Sequence, residues 1–267
     1  MFGRVDGSGG SARSLLAWIG LLLMAASFVW LQLLPSRPRP RVDIPTPATD
    51  GPFALVVLDP GHGGRDSGTM KAGIVEKELS LDVALRVKRF LQLQNVATLL
   101  TRTGDTYVSL ADRAALANAR HNCVFISIHF DDAARPAATG IETYYAAHQI
   151  SNSSRVVSWL PFLEQTAESA NVESQSLAGF IQEALVTRTQ AVNRGTTAHQ
   201  FFVISHVRHP AVLVEGGFLT NAEEVNKLAT SDYREQIAAA ISDGVMRYRE
   251  VLRQRQTPLA INSAGAE

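Results

Sequence analysis

Cysteine is almost absent: the 267-residue chain has one, Cys123, inside an apolar run. A single thiol can build neither a disulfide framework nor a Cys-rich zinc module, and it leaves the redox compartment open. Charge of one sign is absent as well, since 25 Lys and Arg are set against 25 Asp and Glu. Without a basic excess there is no field to hold a phosphate backbone, so no nucleic-acid partner is expected. No internal repeat is visible. The glycines at 61, 63 and 64 are followed by no Lys-Ser/Thr and by no third glycine at the dinucleotide spacing, which disfavours a Walker-type loop and a Rossmann fingerprint. What is present is a chain with 46% hydrophobic residues, long enough after its first 50 or so residues to bury a sizeable core without staples.

Residues 1–14 form a short N-terminal segment, and residues 15–34 (LLAWIGLLLMAASFVWLQLL) are polar only at Ser27 and Gln32. About 20 such residues at helical rise match a hydrocarbon core of roughly 30 Å, so the stretch reads as a transmembrane anchor or a signal sequence. Small residues at Ala25, Ala26 and Ser27 would suit cleavage, but apolar sequence continues through Phe28, Val29, Trp30 and Leu31, which favours an uncleaved anchor. Arginines flank both sides of the span, so charge leaves its orientation equivocal. Residues 35–52, with prolines at 35, 38, 40, 45, 47 and 52, read as an extended tether.

The body, residues 53–255, alternates short apolar runs with amphipathic stretches. Strands are expected at 53–58 (FALVVL), 96–101, 123–128 (CVFISI), 140–146, 201–204 and 211–215 (AVLVE), and helices at 79–93, 109–120, 176–189 and 233–253. That alternation predicts an α/β fold, an open, mostly parallel sheet with helices on both faces. Residues 147–174 are too long for a plain connection and read as an insertion that could hold a short helix, and the tail 256–267 reads as flexible.

Three apolar strands run into polar residues at their carboxyl ends: Leu58 into Asp59 and His62, Ile128 into His129, Val214 into Glu215. Open α/β sheets place ligands at that edge. Two histidines and a carboxylate in one crevice have the composition of a catalytic zinc site, with Glu76, in a loop, and Glu78, at a helix start, as the further acids available. Each residue also has a bland reading. His62 could be a turn residue, its glycines a phosphate cradle, and His129 a satisfied core histidine. Glu215, after four apolar residues, must be paired or functional, because an unpaired buried carboxylate is costly. Asp131 and Asp132 could orient an imidazole or line a solvated turn. His121, His148, His199, His206 and His209 close no strand at the crevice and read as loop or surface residues.

The motifs LDPGHGGRDSG (58–68), Glu76-Lys77, TRTGD (101–105), LADRAALAN (110–118), SIHFD (127–131), GIETYY (140–145) and PAVLVEGGFLTN (210–221) together resemble the zinc-dependent N-acetylmuramoyl-L-alanine amidases of the amidase-3 family, in the family's order. The resemblance implies one catalytic Zn²⁺ held by His62, Glu76 and His129, with Glu215 as the catalytic carboxylate. It also implies a peptidoglycan substrate, cut between N-acetylmuramic acid and L-alanine, and hence a location outside the cytoplasmic membrane. In some relatives a helix inserted after the Gly-x-Glu strand plugs the site until an activator protein moves it, and residues 147–174 occupy that stretch. Two departures stand out. Phe130 and Asp131 follow His129 where the family commonly has Ala-Asn, which places a large ring at the mouth of the groove, and Gly216 replaces a bulkier residue after Glu215. A non-catalytic wall-binding protein on the same scaffold, or a zinc hydrolase for another amide, are the rival readings.

Overall fold

The structure, a computed structural model, describes residues 51–131, 138–150 and 168–256, together with residues 18, 19, 23 and 24. It divides into two units, residues 1–45 and 46–267. In the first unit the four described residues are helical, and the rest of the expected anchor and most of the tether lie outside the described residues. Among the described residues no helix is long and apolar enough to cross a membrane.

The second unit is built on strands β1 (Leu55–Pro60), β4 (Ala97–Leu100), β5 (Cys123–Asp131), β6 (Ile141–Tyr145), β7 (Asn193–Ala198) and β8 (Ala211–Phe218), in the spatial order β4-β1-β5-β8-β6-β7. The first four are parallel, β6 runs antiparallel to β8, and β7 is parallel to β6. The sheet is therefore mostly parallel, as its continuous apolar runs predict. A two-stranded hairpin, β2 (Met70–Lys71) and β3 (Ile74–Val75), stands apart. The helices are α1 (Glu76–Leu93), α2 (Leu110–Asn118), α3 (Glu168–Thr189), α4 (Phe202–Ser205), α5 (Ala222–Leu228) and α6 (Ser231–Gln256).

Period-two alternation along the strands separates two cores. Val56 and Leu58 of β1, Ile126 and Ile128 of β5, and Val212 and Val214 of β8 face the larger one, closed by Val83 and Val87 of α1, Leu177 and Ile181 of α3, and Ile241 and Val245 of α6. Leu55, Val57, Phe125 and Leu213 face the smaller one, closed by Ala114 and Ala117 of α2 and Val203 and Ile204 of α4. From β1 the chain passes to β4 on one side and then to β5 on the other. The crevice between the carboxyl ends of β1 and β5 is therefore a topological switch point, where open α/β sheets bind ligands.

Two expectations are corrected. Phe201 to Ile204 is not a strand: residues 202–205 form a helical turn that seats Val203 and Ile204 against the smaller core. A four-residue apolar run carries no period that separates the two. Glu76 is not in a loop but is the first residue of α1, which begins three residues before its apolar stripe. Ser109, read from the sequence as the first helical residue, is the N-cap of α2, accepting from Asp112 N. Strand β7, exposed at nearly every position, and the short α5, capped by Asn221, are additions the hydrophobic pattern does not reveal. Of the insertion expected at 147–174, residues 151–167 lie outside the described residues and 168–174 form the first turns of α3; the tail from 257 also lies outside them.

Candidate metal centre and catalytic crevice

The loop after β1 must turn back across the switch point, and its glycines make room for side chains. A Cβ on Gly61 would sit 2.4 to 2.7 Å from ring atoms of His129, and one on Gly68 would sit 2.5 Å from Glu76 Oε2 and 2.6 Å from His62 Cδ2. The glycine pattern is thus explained by close approach to the candidate ligands. His62 itself has φ 58°, a left-handed conformation costing about 1 kcal/mol or more that the surroundings must impose. They do so with cations. Arg113 donates to the His62 carbonyl at 2.6 Å and to Asp59 Oδ1 at 2.7 Å, and Arg102 donates to the carbonyls of Pro60, Gly61 and Lys77. Lys77 bridges the Gly64 carbonyl and Asp105. Asp59 is 1% exposed and also accepts from Thr101 and Ser127. It belongs to the scaffold beneath the crevice and not to the site.

Three expected residues meet above this scaffold. His62 Nε2 lies 2.9 Å and His129 Nδ1 3.0 Å from Glu76 Oε1. The rings stand 4.8 Å apart at 75°, and a ligand atom from each of the three residues falls within 4.8 Å of the others. Glu76 is oriented by backbone donors, with Phe130 N on Oε1 at 3.1 Å and Thr69 N on Oε2 at 2.9 Å. Burial works to raise the Glu76 carboxyl, but the hydrogen bonds and charges of His129 and His62 outweigh it and hold it far below the usual carboxylate range. For His62 burial works to lower the pKa, and Glu76 and then Asp66 reverse that and leave it raised. Two imidazoles and one ionised carboxylate, partly buried and converging, are a donor set suited to zinc with a position left for water or substrate. Glu78 is exposed and takes no part.

Asp66, not singled out by the sequence, faces Nδ1 of His62 at 2.9 Å. It takes the orienting part that was one of two readings for Asp131 and Asp132, leaving Nε2 for a metal. Asp131 instead ends β5, and Asp132 lies outside the described residues. The remaining histidines stay out of the cluster: His199 packs on Tyr144 and Phe201, His206 on Phe202, and His209 bonds the Arg120 carbonyl.

Glu215 stands beside this cluster. Parallel pairing sets it in register with His129, antiparallel pairing sets Glu142 opposite it, and it is 8% exposed. Just beyond, a two-residue step on β5 (His129 to Asp131) is matched by a three-residue step on β8 (Glu215 to Phe218), a bulge that uses Gly217 at φ 146°. Glu224 of α5, buried, fastens the bulge by accepting from Phe218 N and Gly140 N, both at 2.6 Å, and from the Thr139 hydroxyl. The expected ring at the groove mouth is corrected here. Phe130 is fully buried in the larger core, because alternation along β5 turns it away from His129. A Cβ on Gly216 would lie 2.7 Å from Phe130 Cε1, so the two departures from the family pattern fit one another: the missing side chain makes space for the ring.

The family of N-acetylmuramoyl-L-alanine amidases matches residues 56–247. The chain is 35% identical over 193 residues to the N-acetylmuramoyl-L-alanine amidase LytC of Bacillus subtilis, a match covering 72% of this chain and 35% of LytC. It is 32% identical over 223 residues to the amidase AmiA of Salmonella typhimurium, covering 74% of this chain and 77% of AmiA. Among solved structures, an N-acetylmuramoyl-L-alanine amidase from Clostridium difficile 630 is 33% identical, with TM-score 0.63, covering 74% of this chain and 97% of that one.

Proposed function

Because the chain belongs to the N-acetylmuramoyl-L-alanine amidase family and so is a peptidoglycan hydrolase, we propose that its crevice holds one zinc ion on His62, Glu76 and His129, with Glu215 as the catalytic carboxylate. The observation that carries this reading is the convergence of three ligand atoms within 4.8 Å of one another beside a carboxylate in register with one of them. When bound, such an ion contributes Lewis acidity toward the amide carbonyl and lowers the pKa of water to about 7. Glu215 takes the proton of the attacking water and delivers it to the departing nitrogen of L-alanine, whose amine is otherwise a poor leaving group. Its apolar approach along β8, buried from Ala211 to Val214, excludes solvent from that proton. Asp66 holds His62 in one tautomer, and the backbone N–H groups of Phe130 and Thr69 keep Glu76 aimed.

The substrate lies outside the cytoplasmic membrane, which supports an extracytoplasmic body held at the membrane by residues 15–34 and spaced from it by 35–52. Cleavage of that segment as a signal is the alternative, read by the mass of the mature chain. The length of the stretch 147–174 supports a regulatory role answering to an activator protein, and unchanged basal activity after its deletion would remove that role.

The test is release of stem peptide from purified peptidoglycan by the full-length chain, with and without a chelator, with zinc measured on the same sample. Chelator-sensitive release exposing an L-alanine amino terminus is expected. Glu215→Gln should keep zinc and lose release, while His62→Ala or His129→Ala should lose both. Release that persists without metal overturns the reading.

A further inference from the structure

One row of side chains runs across the crevice. His129 on β5, Glu215 on β8 and Glu142 on β6 are register partners, and directly paired residues project to the same face of a sheet. The row is continued by β7, the exposed edge strand. Arg194 Nε donates to Glu142 Oε2 at 3.2 Å, and the Thr197 hydroxyl donates to Oε1 at 2.6 Å. Glu142 is 8% exposed, so both of its oxygens are engaged in a nearly dry position. The guanidinium carbon lies 4.8 Å from the centre of the Phe218 ring, which the β8 bulge brings round to the Glu215 face. One edge and one face of the guanidinium are thereby fixed, while the side chain remains 39% exposed. Among the described residues, its Nη1 and Nη2 donate to no other group.

A guanidinium oriented in this way is a fork for a carboxylate. Strands stand about 5 Å apart, so the fork lies one to two strand spacings, about 5–10 Å, from Glu215. Of the two halves of the substrate that flank the scissile amide, the glycan side has its lactyl carboxyl consumed in that amide, whereas the peptide side carries free carboxylates. The first of these is on the residue after L-alanine, roughly one 3.8 Å chain step away. We propose that Arg194, positioned by Glu142 and Phe218, is a carboxylate subsite that takes the free α-carboxylate of the second stem-peptide residue and so sets the preference for acidic over amidated stems. The inference rests on the amidase reading of the crevice around Glu215.

The experiment uses the zinc-loaded full-length chain and two synthetic muropeptides that differ at one group, the second residue being D-glutamate with its free α-carboxylate or D-isoglutamine with a carboxamide there. A charge-assisted pair predicts a preference of roughly tenfold in kcat/KM for the carboxylate, most of it in KM. Arg194→Gln combined with Glu142→Gln removes both charges together, so that no buried carboxylate is stranded, and should bring the ratio to about one. Arg194→Lys should restore part of it, and Arg65→Gln, in the His62 loop, should leave it as in the parent. A second readout needs no turnover: the released peptide should bind the Glu215→Gln variant more tightly as the acid than as the amide, and lose that difference with Arg194. A ratio near one in the parent chain overturns the proposal. So does a double variant that slows both substrates equally, because Arg194 would then serve only as the counter-ion of Glu142. If the parent chain exposes no L-alanine amino terminus from either substrate, the amidase reading itself fails, and this inference with it.

Discussion

Phe130 and Gly216 allow a direct test of how the crevice floor is packed. The backbone at Gly216 is not in the left-handed region, so alanine is allowed there conformationally. Its Cβ would nevertheless sit 2.7 Å from Phe130 Cε1 and 3.2 Å from Cζ. The ring is fully buried in the larger core and cannot swing into solvent to make way, so Gly216→Ala should overpack the site at a cost of about 1–3 kcal/mol. Phe130→Ala should open a cavity at a cost of about 3–5 kcal/mol. In the double variant the new methyl enters space the ring has left, and the overpacking cost disappears. The double variant should therefore be no worse than Phe130→Ala alone, with a coupling of about 1–3 kcal/mol. At roughly 2–4 °C per kcal/mol for a domain of this size, the double variant should melt several degrees above the additive expectation. Urea and thermal melts of the four metal-free proteins read this directly. Because Phe130 contacts Glu76 through its backbone N–H, all four should still bind zinc. Additivity to within about 0.5 kcal/mol would mean that the ring does not lie on Gly216, and would return it to the mouth of the groove.

Asp66→Asn should weaken zinc retention by about 10–100-fold, read by competition with a chelator, because it removes the carboxylate that fixes the His62 tautomer; unchanged affinity would deny Asp66 that part. Arg113→Met strands Asp59, 1% exposed, and should destabilise the fold by about 3–5 kcal/mol in a urea melt, whereas a loss under 1 kcal/mol would show the pair to be solvated. Burial pushes the Cys123 thiol up to about 12. A thiol disulfide reagent at pH 8 should therefore label the native protein only as fast as it unfolds, and fast stoichiometric labelling would contradict the burial. The same shift has a pH sign: the unfolded thiol ionises near its ordinary value, about 8.5, and the folded one does not, so this group costs stability as pH rises above that value.

The candidate metal centre was partly legible, because two of its three proposed ligands follow apolar runs that the chain marks by itself. His62 and His129 close apolar runs, and apolar runs that end in polar residues can be read residue by residue. Glu76 was legible as a ligand through the family pattern but not in its setting. The apolar stripe of α1 begins at Leu79, and the polar first turn that carries the carboxylate has no period of its own. The motif residues around the triad were visible as a pattern without a cause. Thr101, Arg102, Asp105 and Arg113 owe their places to bonds with the backbone and side chains of residues 59–64, as many as 54 positions away, and no local rule reaches that far.

What stayed illegible has a common character. Asp66, Glu142, Arg194 and Glu224 are polar residues whose importance comes from the partner they meet, and three of the four sit on or beside elements that hydrophobic patterning misses or reads weakly. Strand β7 is the clearest instance. An edge strand of this kind buries almost nothing, so it has no alternation to read, and its pairing with β6 depends on backbone bonds that any sequence could make. Packing accounts only in part for Arg194, a long cation held through its Nε and one face of its guanidinium while its side chain stays 39% exposed. Packing explains Phe130, and the proposed metal would account for the triad. A guanidinium whose Nε and one face are already fixed gains little more from the fold, so the orientation of its free edge is best understood from the substrate side of the crevice.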